Sequence, residues 1–412
     1  MSQGPFYDDL EIRDPGRREA ALLGALSAHV QNARDNAPYY QTLLKEIDPS
    51  EITDRAALAK LPVTRKSELV NIQSEGDPLG GMTTVPAGHM LRIFQSPGPT
   101  YDIEGFGKDW WGTARALFAS GFRNGDIMHN TFAYHFTPAG VMLEAGAHAL
   151  GCAVFPAGVG NTELQVQAVH DIKPTGYAGT PSFLKMILEK AEELGKDASS
   201  LKKACVAGEG LPPALRKEIE DHGIHCGQVY ASADIGNIAY ESEAREGLII
   251  DERHIVEIVR PGTGDPVAEG EVGEVVVTVL REDIPLIRFA TGDLSQFLGG
   301  QSPCGRTNMR LRGWMGRADQ TTKVKGMFVH PAQVAEIVRR HPEIARARVV
   351  VTHDGKSDVM TVRCETADSG PALVDAINQT IQNVCKLKGV CECVAAGSLP
   401  NDGKVIEDAR AN

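Results

Sequence analysis

Five short stretches hold side chains that could act on a nucleotide phosphate. In AGEGLPP, residues 207–213, Gly208 and Glu209 follow an apolar run and precede a helical one. That arrangement puts a carboxylate and unpaired backbone N–H groups at the end of a strand. In QVYASADIG, residues 228–236, Tyr230 could stack on a base, and Asp234 could hold a divalent cation beside phosphates; both are expected on a loop. In IRFATGDL, residues 287–294, Asp293 follows a glycine and could accept hydrogen bonds from both hydroxyls of a ribose. GRAD, residues 316–319, supplies Arg317 and Asp319, and LPNDGKVI, residues 399–406, sets Lys404 on a glycine-led turn. Each stretch alone also reads as ordinary structure: a strand-to-helix turn, a Gly-Asp turn or a solvated surface lysine. Their order along the chain is what carries information.

A sixth stretch is harder to read. RIFQSPGPTYD, residues 92–102, is shaped like a phosphate-holding turn without its lysine and most of its glycines. Ser96, Gly98 and Thr100 could still meet phosphate oxygens, but Pro97 and Pro99 each remove a backbone donor. Three readings stand: a nucleotide loop, a relic of one, or a plain turn.

These side chains need a frame, and the rest of the chain supplies the pattern for one. With 412 residues and 42% apolar composition, two or three domains are expected. Forty-two Lys and Arg against 54 Asp and Glu give a net charge of −12, which argues against a general nucleic-acid binder, although local basic patches survive any net charge. The N-terminus, MSQGPFYDDLEIRD, is polar and acidic, so no signal sequence is read there. No run approaches the length of a membrane span. The eight cysteines are irregularly spaced, as reduced thiols of a cytoplasmic protein would be. Cys391 and Cys393 fall on one face of a strand but do not by themselves close a zinc site.

Residues 17–48 show helical spacing broken at Pro38, which predicts two helices, and TRKSELV closes a mostly helical lead-in. From 120 to about 232, helical and short apolar runs alternate five times with brief connections, the pattern of an α/β layered domain. After 245 the runs HIVEIVRP, GEVGEVVVTVL and PLIRFATGDLSQFL predict a β-rich subdomain. A last αβ module of about 90 residues follows. The expected architecture is a large α/β N-terminal domain over 1–317, carrying the β-rich subdomain, and a small mobile αβ domain over 318–412.

Taken in order, these stretches resemble the acyl-adenylate-forming (AMP-dependent synthetase/ligase) superfamily over nearly the whole chain, specifically the short phenylacetate–coenzyme A ligase branch. AYHFTPAG at 133–140 resembles the segment before that branch's acid pocket, and AGTPSFL at 178–184 its Thr-Pro-Ser-Tyr segment. AGEG looks like the Gly-Ala-Glu-Pro loop, and VYASAD like Tyr-Gly-Leu-Ser-Glu. The longest match runs through IRFATGDL, CGRT, RLRGWMGRAD and KGMFVHPAQV. The resemblance implies that ATP activates a small carboxylic acid, aryl or arylacetyl in type, which then passes to coenzyme A. It gives Asp293 the ribose, Arg317 the ribose or phosphate, and Asp319 the hinge. Tyr230 and Ala231, with Gly208 and Glu209, would line the adenine pocket. Asp234 stands at the magnesium-linked carboxylate, and Lys404 at the lysine that bridges carboxylate and α-phosphate. Tyr134, His135, Phe136 and Gly179 would form the acid pocket with aromatic walls, and Lys325 would serve the thioester-forming conformation. A homodimer is expected on the same ground.

The departures are as informative. The phosphate loop lacks its lysine, Asp234 replaces a longer glutamate, and of the cysteines that hold a metal in some relatives only Cys304 remains, with His254 as a stray ligand. No structural zinc is expected. The alternative to an enzyme is a non-catalytic relative that binds a nucleotide or an acyl-adenylate-like ligand. Retention of Asp293, Arg317, Asp319 and Lys404 favours the enzyme; the damaged loop favours the alternative.

Overall fold

The structure is a computed structural model describing residues 4–74, 76–96, 98–259, 264–318, 321–355, 357–367, 369–400 and 405–410. Asp14 opens the first helix, α1 (Pro15–Asn36): its carboxylate accepts from the Arg17 N–H at 2.9 Å, and Pro15 fills the first turn. Leu22, Leu26, Val30 and Ala33, at three- and four-residue steps, bury one face. Pro38 then starts a separate short helix, α2 (Pro38–Leu43), as its ring requires. After α3 (Arg55–Leu58) the structure departs from the helical expectation for TRKSELV. Thr64–Arg65 form a strand, β1, before a 3₁₀ turn at Lys66–Glu68 and α4 (Leu69–Ile72). The cause is non-local, because β1 pairs in parallel with a strand more than 200 residues later, Thr64 opposite Phe289. Strands β2 (Arg92–Gln95) and β3 (Tyr101–Glu104) form an antiparallel hairpin whose tip is the proline-bearing turn.

The alternating region folds as its pattern predicts. In chain order it runs α5 (Thr113–Ala119), β4 (Ile127–Asn130), α6 (Ala139–Leu150), β5 (Ala153–Pro156), α7 (Thr162–Ile172), β6 (Gly176–Gly179), α8 (Pro181–Glu193), β7 (Lys203–Val206), α9 (Pro213–Asp221) and β8 (His225–Ser232). Strands β5-β4-β6-β7-β8 are parallel neighbours. Successive side chains of a strand point to opposite faces, and the core divides accordingly. Ala178, Cys205 and Val229 pack with residues of α5 and α6. Tyr177, Ala204, Val206 and Cys226 pack with α7, α8 and α9. Helices therefore cover both faces, as a parallel sheet needs.

From β8 the sheet turns antiparallel through β9 (Gly236–Glu241) and β10 (Leu248–Ile250). Next come β11 (His254–Val259), β12 (Gly273–Val279) and β13 (Leu286–Ser295), then β14 (Phe297–Leu298) and β15 (Arg310–Leu311). The last two extend the large sheet to nine strands, while β1-β13-β12-β11 make a second sheet that packs under α1 and α2. This is the expected β-rich part.

The chain divides into two compact units. One holds Met1–Arg260, Gly264–Thr291 and Gln296–Trp314; the other holds Pro261–Thr263, Gly292–Ser295 and Met315–Asn412. The second begins with the hairpin β16 (Thr322–Val324) and β17 (Met327–Val329), then α10 (Pro331–Arg340), β18 (Arg346–His353), β19 (Asp358–Glu365), α11 (Pro371–Cys385), β20 (Val390–Val394) and β21 (Ile406–Asp408). Its sheet order is β20-β19-β18-β21, with its own core around Val349, Val362, Ile377 and Ile381. Cys391 and Cys393 share a face of β20, with Cys393 opposite Cys364.

Candidate functional site

Parallel strands deliver their C-terminal ends to one edge of the sheet, where open α/β sheets place ligands. At that edge β4 leads into Thr131, β6 ends at Gly179, and β7 leads into the Ala207–Glu209 turn. The Ala207 N–H donates to the Gly179 carbonyl at 3.2 Å. Gly179 is required by close approach, since a Cβ there would lie 2.0 Å from Thr131 Oγ1 and 2.2 Å from the Tyr177 hydroxyl. Glu209 is exposed, and its carboxylate accepts from the Ser182 N–H at 2.7 Å, capping α8 and tying the 207–209 turn to the 178–184 segment. Gly208 beside it has φ 85, in the region that glycine adopts freely.

The three aromatic candidates separate. Tyr134 turns inward, accepting from Asn130 Nδ2 at 2.8 Å, and burial and the Glu144 carboxylate raise its phenol well above the usual range. His135 and Phe136 lie exposed on the turn before α6, Phe136 at 73%. Aromatic residues thus stand here, with these two open to solvent. The Phe136 carbonyl accepts from the Gln95 N–H at 2.8 Å, which fastens this turn to the β2–β3 hairpin and so to the proline-bearing turn.

Tyr230 sits on strand β8, with a bulge between it and Ala231, and not on a loop as expected. The antiparallel return through β9 extends the strand past the point where a parallel unit would leave it. The Tyr230 hydroxyl donates to Thr291 Oγ1 at 3.1 Å. Asp234 occupies the turn between β8 and β9 and is buried, and it pairs with the Lys66 ammonium at 2.5 Å. Asp102 lies alongside, buried on β3, and accepts a hydrogen bond from the Ser96 hydroxyl. Burial, then the neighbouring Asp234 carboxylate, push the Asp102 carboxyl up to about 7, against the lowering effects of Ser96 and Lys66. Asp102 and Asp234 line one cleft with Leu69, Tyr101, Ile284 and Phe289, about 20 Å³ in volume, room for about one water.

This arrangement predicts a pH-dependent stability. A carboxyl whose folded pKa is raised is favourable to folding while protonated, and that contribution is lost as pH rises through about 7. Asp102→Asn is therefore expected to match wild type near pH 4 and exceed it increasingly up to pH 8, by on the order of 1–3 kcal/mol. Urea midpoints at pH 4, 6 and 8 check this; a gain that shrinks with pH would contradict the assignment.

In the second unit, Asp293 and Arg317 come together. Their side chains pair at 3.1 Å and their backbones form a bridge. Gly292, at φ 77, leaves the space: a Cβ there would meet the Arg317 guanidinium at 2.7 Å. Lys325 and Gly326 form the two-residue turn between β16 and β17 with φ 47 and 87, and the Lys325 N–H donates to the Asp358 carboxylate at 2.9 Å. Gly98 and Thr100 belong to the turn of the β2–β3 hairpin. Asp319, Lys404 and Pro97 lie outside the described residues.

Two functional candidates were missed, Lys66 and Asp102. Lys66 carries no periodic signal, because what fixes it is the β1–β13 pairing. Asp102 lay inside a quoted stretch but past the residues that resemble phosphate contacts. His254, considered as a ligand, is a core histidine: its Nε2 lies 2.8 Å from the Asn237 carbonyl and burial lowers its pKa to about 4. Among the described residues, no three His, Cys, Asp or Glu side chains converge as a metal centre would require.

Comparison with known proteins adds four findings. Residues 107–279 match the AMP-binding enzyme family. The chain is 33% identical to a phenylacetate–coenzyme A ligase of Aromatoleum evansii over 384 residues, 88% of this chain and 85% of that protein. It is 30% identical to the Escherichia coli (strain K12) phenylacetate–coenzyme A ligase, over 89% of this chain and 86% of that one. The fold matches an open conformation of 2-hydroxyisobutyryl-CoA ligase, solved with 2-HIB-AMP and CoA, at a TM-score of 0.86 and 24% identity, over 99% of this chain and 95% of that one.

Proposed function

The chain belongs to the phenylacetate–coenzyme A ligase family of AMP-binding enzymes, and from that membership we propose that it activates a carboxylic acid with ATP and transfers the acyl group to coenzyme A. The observation that carries this reading is identity of 30% or more to such ligases along nearly nine-tenths of the chain. The pairing of Asp293 with Arg317 supports it locally. In the first step a carboxylate oxygen attacks the α-phosphorus, the bond to the bridging oxygen breaks and pyrophosphate leaves. In the second the thiolate sulfur attacks the acyl carbon and AMP departs with the C–O electron pair.

The residues divide the work as charge demands. Bringing a carboxylate to a phosphate joins two anions, so the role assigned to Lys404 is to stabilise the developing charge. Asp293 accepts from the ribose hydroxyls, Arg317 holds ribose or phosphate, and Tyr230 stacks near adenine. Asp319 is the hinge that presents Lys404 and then Lys325 in successive conformations. Magnesium fits the donors present: the Asp234 and Asp102 carboxylates line one cleft beside the turn, and Mg²⁺ is commonly held by one or two carboxylates plus phosphates. When bound it would neutralise phosphate charge, with Asp234 as the protein ligand. An aryl or arylacetyl acid, a cytoplasmic location and a homodimer complete the reading. The eight cysteines all stand as free thiols, consistent with a reducing compartment.

The test is pyrophosphate release over a panel of aryl, arylacetyl and short-chain acids, with and without coenzyme A, beside light scattering for the dimer. Release that requires one acid class, with the matching acyl-CoA as product, is expected. AMP binding without release on any acid would favour the non-catalytic alternative, which the acidic setting of the turn makes the specific competitor.

A further inference from the structure

Pyrophosphate carries several negative charges, and the Ser96–Thr100 turn contributes no cation toward them. Its surroundings make matters worse. The Ser96 hydroxyl is occupied by the Asp102 carboxylate, and the Asp234 carboxylate stands close enough to raise the Asp102 pKa. The group that offsets both acids is Lys66. Its backbone is fixed: β1 is paired to β13 at Thr64 and Arg65, and the Arg65 guanidinium is itself tied to Glu274 at 2.6 Å. Its side chain is not enclosed, with 32% of it exposed against 6% for Asp234. A four-carbon stem rooted on a fixed strand end can carry its ammonium from one anion to another a few ångströms away.

We propose that Lys66 is a catalytic residue that supplies the cation the turn lacks: its ammonium, held on Asp234 in this structure, moves to the oxygens of the departing pyrophosphate and leaves Asp234 for the metal. The inference rests on the adenylating reading given above and adds to it a residue from outside the turn. The exchange is balanced in charge. Lys66 leaves one anion for another, while Asp234 loses an ammonium and takes on a divalent cation. Asp102 keeps the Ser96 hydroxyl until phosphate oxygens compete for it. The other charged groups of this hairpin are already engaged, Arg92 with Glu104 at 2.7 Å.

The experiment separates the two half-reactions. Lys66→Met is expected to slow ATP–pyrophosphate exchange about 100-fold, with synthetic acyl-adenylate converted to acyl-CoA within about threefold of wild type. Lys66→Arg, which keeps the charge but not the shape, is expected to recover about 10-fold of the loss. A residue that only neutralised buried Asp234 would behave differently, since Lys66→Met would then weaken ATP and AMP binding alike and slow both half-reactions. Equal loss in both half-reactions, or no loss at all, overturns the proposal. Calorimetric titration with ATP and with AMP reads Lys66 without turnover. The proposal requires Lys66→Met to weaken ATP binding about 10-fold or more while leaving AMP unchanged. If wild type adenylates no acid, the ligase reading fails; the titration then still decides whether Lys66 grips phosphate.

Discussion

Lys404→Ala is expected to slow acyl-adenylate formation by roughly 10²–10³ while leaving thioester formation from a preformed adenylate within about threefold. The asymmetry follows from when charge develops. In the first step a carboxylate approaches an α-phosphate, so a positioned ammonium stabilises the transition state more than the separated reactants. In the second step no phosphate bond forms, and a lysine there has nothing comparable to stabilise. Lys404 follows Asn-Asp-Gly in the sequence, a polar run without the apolar spacing that would give a lysine a packing role. Loss of activity with unchanged stability is therefore the expected pattern. Single-turnover assays of each half-reaction, with a thermal melt as control, measure both. Equal slowing of the two halves would mean that Lys404 acts on the acyl group or on coenzyme A and not on adenylation.

That lysine and Lys66 illustrate what could be read from the sequence and what could not. Lys404, Asp293 and Arg317 sit in stretches whose order resembles that of the ligase family, from which their proposed roles come, and the structure brings Asp293 and Arg317 within 3.1 Å. The parallel sheet was legible for a similar reason, because each strand and its following helix declare themselves by local period. Lys66 was not legible. Its partner is 168 residues away, and the strand that aims it exists only because β13 is there to pair with. The fate of Tyr230 has the same origin: a strand running on into an antiparallel hairpin replaces the loop that a parallel unit would have. His135 and Phe136 were read from residue type and from the resemblance of AYHFTPAG, neither of which says how exposed a turn is.

The motif IRFATGDL hides a further division, and it sets the second large prediction. Asp293 is proposed for the nucleotide, but Arg288 five residues earlier points into the core, with 2% of its side chain exposed. Its guanidinium meets both oxygens of Glu257 at 3.0 Å and the carbonyls of Ala59, Leu61 and Gly264 at 2.7 Å. One side chain thus joins the end of the helical lead-in to the second sheet, and its backbone takes φ 46 to do so, a conformation costly for a residue with a Cβ. Arg288→Met should cost about 3–5 kcal/mol, because Glu257 stays buried without its cation and three carbonyls lose their donor. Burial already raises the Glu257 carboxyl, with Arg288 opposing it, so removal of the arginine raises it further. The deficit should then be larger at pH 8 than at pH 5, since a raised carboxyl loses its contribution as pH increases. Adding Glu257→Leu should recover part of the stability by removing the stranded charge. Denaturant melts of the two variants at both pH values test this, with ATP affinity measured on the folded fraction. If Arg288→Met kept full stability and lost ATP binding, the arginine would belong to the nucleotide site and not to the core. The expected opposite result would show that half of this motif persists to hold the frame and only its last residues to do chemistry.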